Sequence, residues 1–197
     1  DNRPLARGVI GPRPKKDGGL WTIKWNETAK PSAQLDFAVL ALPACEVTDG
    51  WLLSRSVDDL LGCAIALEAM RRISQARAKV NLTVLLNRAE EVGFVGALDM
   101  IRSGKLSAHD SYLSIESSRE LPGSKPGSGP TIRLGDRATI FDANLTALLD
   151  DAGKILRKRG TKVQRLRLTG GTCEATAYQA FGYEAGGVAV PLVNYHN

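Results

Sequence analysis

The 197 residues contain no apolar run approaching the roughly 20 needed to span a bilayer. The opening residues, D-N-R-P-L-A-R, do not have the layout of a secretory signal. Cysteine is scarce. Cys45, Cys63 and Cys173 are an odd number at wide spacing, which argues against a disulfide framework. Without a secretory signal, the acceptor-like triplets at Asn26, Asn81 and Asn144 read as chance, and the cytoplasm is the expected compartment. No internal repeat and no low-complexity tail is visible. Aromatic residues make up only 6% of the chain, and none is interleaved in its densest basic run, Lys154 to Arg167. That run coincides with a helix end, where cations offset the macrodipole. The net charge of +5 is therefore read as a solvated basic face, not a nucleic-acid surface.

What is present is ordinary for a globular protein: 43% hydrophobic and 24% charged residues. The length suits one substantial α/β domain, with or without a small appendage. Residues 1–50 differ from the rest. Turn residues (Gly8, Gly11-Pro12, Pro14, Gly18-Gly19, Pro31) punctuate short strand-like runs at Leu20–Trp25 and Phe37–Leu42. Trp21 and Trp25 share one strand face and are expected in a core. Asp49-Gly50 reads as a hairpin turn between Cys45–Val47 and Trp51–Leu53. This β-rich part is expected to be a lid or assembly segment, and residues 51–197 a catalytic domain.

From Ser54 the pattern alternates. Helices are predicted near 60–78, 93–102, 143–158 and 174–181, and strands near 80–87, 111–115, 131–134, 163–168 and 188–192. A glycine- and proline-rich loop fills 121–130. The alternation predicts an α/β sheet covered on both faces.

The acids and the last histidine fall at element ends. Asp58-Asp59 precedes the first helix, and Glu90-Glu91 closes one strand. Glu116 closes the next, and His196 follows the last. Such groups converge on one rim of an open sheet. Carboxylates with an imidazole suit zinc, cobalt or manganese, and no cysteine is needed. Cys173 has no histidine near it in sequence and reads as a small buried residue. His109, in a polar loop, reads as a surface residue.

The runs S-V-D-D-L-L-G, E-E-V-G-F-V-G-A, G-P-T-I-R-L-G-D-R and T-G-G-T, with Glu116 and the terminal Y-H, resemble the co-catalytic dinuclear zinc aminopeptidases. The likeness covers about residues 35–197 and is greatest to the branch that forms tetrahedral assemblies. It implies a zinc-exopeptidase fold, a mixed sheet between helices with part of a small β-rich inserted domain at the N-terminus. It implies two divalent metals per intact site, short peptide substrates and a homo-oligomer in the full-length protein, with no nucleic-acid or membrane partner. Asp58 would bridge the metals, and a strained peptide bond to Asp59 would aim it. Glu91 and His196 would ligate the first metal and Glu116 the second, with Glu90 as general base. Gly170, Gly171 and Thr172 would approach substrate. The family's H-x-D histidine has no counterpart before Asp58, so the second site is expected to lack a ligand here. The simplest account is that part of the N-terminal region, and some of the C-terminal end, lie outside this chain. A metal-dependent deacylase or carboxypeptidase, or an inactive scaffold, remain the alternatives.

Overall fold

The computed structural model describes residues 6–12, 15–16, 19–26 and 39–195. Pro14, Gly18, Pro31, Phe37 and His196 lie outside these. The chain divides into two compact units, Asp1–Leu42 and Pro43–Asn197. In the first, β1 (Gly8–Ile10) and β2 (Ile23–Trp25) pair antiparallel. The strand expected from Leu20 is reduced to its last three residues, and Val39–Leu42 form none. Trp21, expected in a core, is 55% exposed, because a two-stranded ribbon of this size has no face broad enough to cover an indole.

The second unit opens with the expected hairpin, β3 (Cys45–Thr48) against β4 (Trp51–Ser54). Asp49 and Gly50 both take positive φ, 49° and 80°, which suits the twist of a two-residue connection. Next comes α1 (Val57–Gln75), regular only beyond Asp59. Asp58 and Asp59 hold non-helical dihedrals, and the peptide bond between them is cis.

The strand predicted over residues 80–87 is not formed. Val80, Leu82 and Leu86 remain exposed. β-Formers become a strand only with a ladder partner, and this segment has none among the described residues.

Then follow α2 (Val95–Arg102), β5 (Ser111–Arg119), β6 (Thr131–Arg133) and α3 (Ala143–Lys158). The order closes with β7 (Gln164–Leu166), α4 (Glu174–Ala180) and β8 (Glu184–Leu192). The sheet order is β5-β8-β6-β7. β5 runs parallel to β8, and β6 runs antiparallel to β8 and parallel to β7. This is the mixed sheet that was expected.

Two adjacent glycines on β8 show what covers each face. A Cβ on Gly186 would meet the Leu145 side chain of α3, and one on Gly187 would meet Phe141 and Arg133. Successive strand residues point to opposite faces. So α3 covers one face, where Ile132 also approaches Gly153. Phe141 lies on the other, clustered with Ala97 and Ile101 of α2 and with Ala175, Ala177 and Tyr178 of α4. Tyr112 of β5 stacks on Tyr178 there, ring centroids 5.0 Å apart. By strand alternation and register, Ser114 and Glu116 share the face of Tyr112.

α3 is stopped and started by local chemistry. Asp142 caps it, its Oδ1 accepting from the amides of Asn144 at 2.8 Å and Leu145 at 2.9 Å. Asp142→Ala is expected to cost about 1 kcal/mol in a denaturant titration. A loss below a few tenths would mean that tertiary packing alone sets this helix start.

Candidate active site

The D-D-L-L-G run folds its second acid back on the helix. The Asp59 carboxylate accepts from the Gly62 amide at 3.1 Å and from Ser117 Oγ at 3.2 Å. A Cβ on Gly62 would lie only 2.1 Å from Asp59 Oδ2, so residue 62 must be glycine for that acid to sit there. Ser117 belongs to β5, and this bond ties the start of α1 to the sheet. Burial raises Asp59 to about 6 against those two hydrogen bonds, with Asp58 and Glu174 adding repulsion.

Glu90 and Glu91 stand on a tight turn. The Glu90 carbonyl accepts from the Gly93 amide at 3.1 Å and the Phe94 amide at 2.9 Å. Ala89, immediately before them, and Phe94 both have positive φ, 58° and 59°. Non-glycine residues in that region cost about 1 kcal/mol or more each, and such strain gathers at functional sites. Glu90 is partly buried, and burial pushes it to about 7, with Glu91, Glu174, Asp58 and Asp59 reinforcing the rise.

Glu116 does not end its strand, as the sequence suggested. Parallel pairing with β8 carries β5 on to Arg119, so Glu116 is an interior residue three positions from the end. Its carboxyl accepts from Ser114 Oγ. Burial raises it to about 8, while Arg133 opposes the rise and Glu90 and Asp59 add to it. Arg133 is only 2% exposed, and its Nη1 has no hydrogen-bond partner among the described residues. Gly187 lies in register between Arg133 and Ser114, and a Cβ there would press on Phe141 at 3.3 Å and on the Arg133 stem at 3.5 Å.

Asp58, Asp59 and Glu91 thus act electrostatically on Glu90, Glu90 and Asp59 act on Glu116, and the exit of β8 comes near the same acids. The phenol of Tyr195 is pushed up to about 12, first by burial and then by Asp58, Glu91, Glu90 and Glu116. His196 is the next residue and lies outside the described ones. Among the described residues, no three His, Cys, Asp or Glu side chains form a ready-made ligand cluster. The crowded acids nevertheless suit a divalent cation, which relieves like-charge repulsion that burial otherwise answers by protonation.

Three features escaped the sequence. Asp136, fully buried, clamps two loops. Its Oδ1 accepts from the Ala138 and Thr139 amides, and its Oδ2 from the Cys173 amide at 3.0 Å and from Thr176 Oγ1. The Arg137 amide also donates to the Gly171 carbonyl at 2.9 Å, fixing the Gly170-Gly171-Thr172 turn. Cys173 is buried, as expected, and that burial raises its thiol well above the ordinary range, which disfavours the thiolate. Glu174 reaches Asn87, three residues before Glu90, across 87 positions of sequence. His109 is exposed, as expected.

Residues 26–197 match the M42 glutamyl aminopeptidase family. The chain belongs to that family. A curated family relative from Acetivibrio thermocellus is 24% identical over 173 residues, covering 78% of this chain and 48% of the relative. The aminopeptidase APDkam598 from Desulfurococcus kamchatkensis superposes with a TM-score of 0.68 at 22% identity, over 98% of this chain and 59% of that one. The Pyrococcus horikoshii TET1 peptidase does so with 0.63 at 22%, over 96% and 61%. These likenesses show the fold. The chain spans about half the length of the curated relative it matches, and about 60% of the two solved structures.

Proposed function

We propose that this chain carries the catalytic residues of a metal-dependent aminopeptidase that removes amino-terminal residues from short peptides. The observation that supports it best is that Asp58, Glu90, Glu91 and Glu116 all lie near enough to Tyr195 to raise its phenol. Asp58 would bridge two divalent cations. Glu91 and His196 would hold the first, and Glu116 the second. Zinc fits this donor set best, with cobalt or manganese acceptable. When bound, such cations polarise the scissile carbonyl and make water a nucleophile near neutral pH.

The remaining work falls to the chain's own groups. Glu90 takes the proton of the attacking water and returns it to the leaving amine. Arg133 offsets charge at Glu116. The turn at Gly170, Gly171 and Thr172, fixed through Asp136, approaches substrate backbone.

Residues 1–50 serve as a lid or assembly segment and 51–197 as the catalytic domain, in a cytoplasmic homo-oligomer. The Pyrococcus horikoshii TET1 peptidase, which can assemble into a tetrahedron or an octahedral shell, supports the oligomer. A panel of aminoacyl chromogenic amides and N-acyl amino acids, with and without zinc or cobalt, tests the reading. Cleavage of the amides alone is expected. Cleavage of only the N-acyl compounds would point to a deacylase, and silence on every substrate by the metal-loaded full-length protein would point to a scaffold.

A further inference from the structure

We propose that Glu174 receives the α-ammonium group of the peptide's first residue, so that a side chain of this polypeptide selects the free amino terminus. This rests on the aminopeptidase reading above.

Glu174 lies in the first turn of α4, and its carboxylate is half committed. Oε2 accepts from Asn87 Nδ2 at 2.9 Å, and the same amide reaches the Tyr178 hydroxyl at 3.3 Å. Asn87 therefore fixes the carboxylate in orientation. Oε1 is enclosed and has no hydrogen-bond partner among the described residues. Native proteins rarely leave such an acceptor unmet, because the loss is about 1–3 kcal/mol and larger for a charged group. An acceptor kept in that state is poised for a donor that arrives with a ligand.

Its surroundings specify the donor. Bonded to Asn87, three residues before Glu90, the Glu174 carboxylate lies close enough to act electrostatically on the candidate base and on Asp59. Acids on several sides repel an anion or a carbonyl oxygen. A cationic donor fits, and an ammonium brings three N–H groups. A peptide's amino terminus carries that group one residue from the bond that an aminopeptidase cuts. An N-acylated peptide has lost the charge and would leave Oε1 unmet. Sites built around a polar partner discriminate strongly in this way.

The test uses L-leucinamide and N-acetyl-L-leucinamide, titrated into the metal-free protein at pH 7 and followed by NMR. The α-amino group, with a pKa of about 7.7 to 8.0, is mostly protonated there. Leucinamide is expected to bind at least tenfold more tightly than its acetylated form. Glu174→Gln keeps an acceptor for Asn87, and should weaken leucinamide on the order of ten- to a hundredfold without affecting the acetylated compound. Glu174→Asp keeps the charge and should fall between. Equal affinities in the wild type, or unchanged leucinamide binding in Glu174→Gln, overturn the proposal. Equal affinities in the wild type overturn it even if a variant fails to fold. Metal-loaded wild type that cleaves no aminoacyl amide would defeat the aminopeptidase reading instead, a result separate from amine binding without metal.

Discussion

Glu90→Gln is expected to lower turnover by about 100- to 10,000-fold while leaving bound metal nearly unchanged. That loss corresponds to about 2.7–5.5 kcal/mol of transition-state stabilisation. Glu90 and Glu91 are neighbours on a turn pinned through the Glu90 carbonyl, and on the proposed reading only one of them is a ligand. A general base must stay off the cation to accept a proton, whereas a ligand must not. The environment then supports the choice, since burial and the surrounding acids set Glu90 to about 7, near the pH at which a base works best. Glutamine keeps the shape and loses the proton acceptor. Turnover and metal stoichiometry, measured on the same preparation, check it. If Glu90→Gln lost the metal and Glu91→Gln kept it, the two roles would be exchanged.

Local chemistry made part of this legible. The Asp49-Gly50 hairpin and the whole span of α3 follow from turn residues, an Asp cap and apolar spacing, all within a few residues of one another. Segment 80–87 carries an equally clear signal, yet it forms no strand, because a strand is completed by another segment and not by its own residues. Glu116 shows the same dependence in reverse. The sequence suggested a strand ending there, but β8 extends the pairing to Arg119.

The site divides along the same line. The paired acids are visible as spacing, although the strand expected to end at Glu90 and Glu91 is not formed. The Asn87–Glu174 bond, the Ser117–Asp59 bond and the Asp136 clamp join residues 37 to 87 positions apart, and no local pattern encodes them. Gly62 was the nearest to a readable signal. A glycine inside a helix costs about 1 kcal/mol relative to alanine, and a helix that carries one usually has something close against it. Here that is the Asp59 carboxylate.

Raising the pH from 5 to 8 is expected to destabilise the metal-free protein by a few kcal/mol, and added zinc should reverse the loss. The sign follows from the acids. Burial lifts Glu116 from 4.5 to about 8, Glu90 from 4.5 to about 7 and Asp59 from 3.8 to about 6. Between those lower and upper values the folded state holds more protons than the unfolded one, so stability falls as pH rises. The contribution is fully present below about pH 4 and is lost by about pH 8. Glu116 dominates because its carboxyl lies deepest, while solvent screening reduces the share of the more open Glu90 and Asp59. For a chain of this size the melting temperature should drop on the order of 5 to 10 °C. A bound cation needs these carboxylates ionised, so zinc binding should release protons, more at pH 6 than at pH 9. Calorimetry in buffers of different ionisation enthalpy measures that release, and thermal melts measure the drop. Glu116→Gln should flatten much of the pH dependence. A wild-type melting temperature that stays level or rises from pH 5 to 8 would mean that these acids do not share a desolvated rim, and the metal site built on them would fall with it.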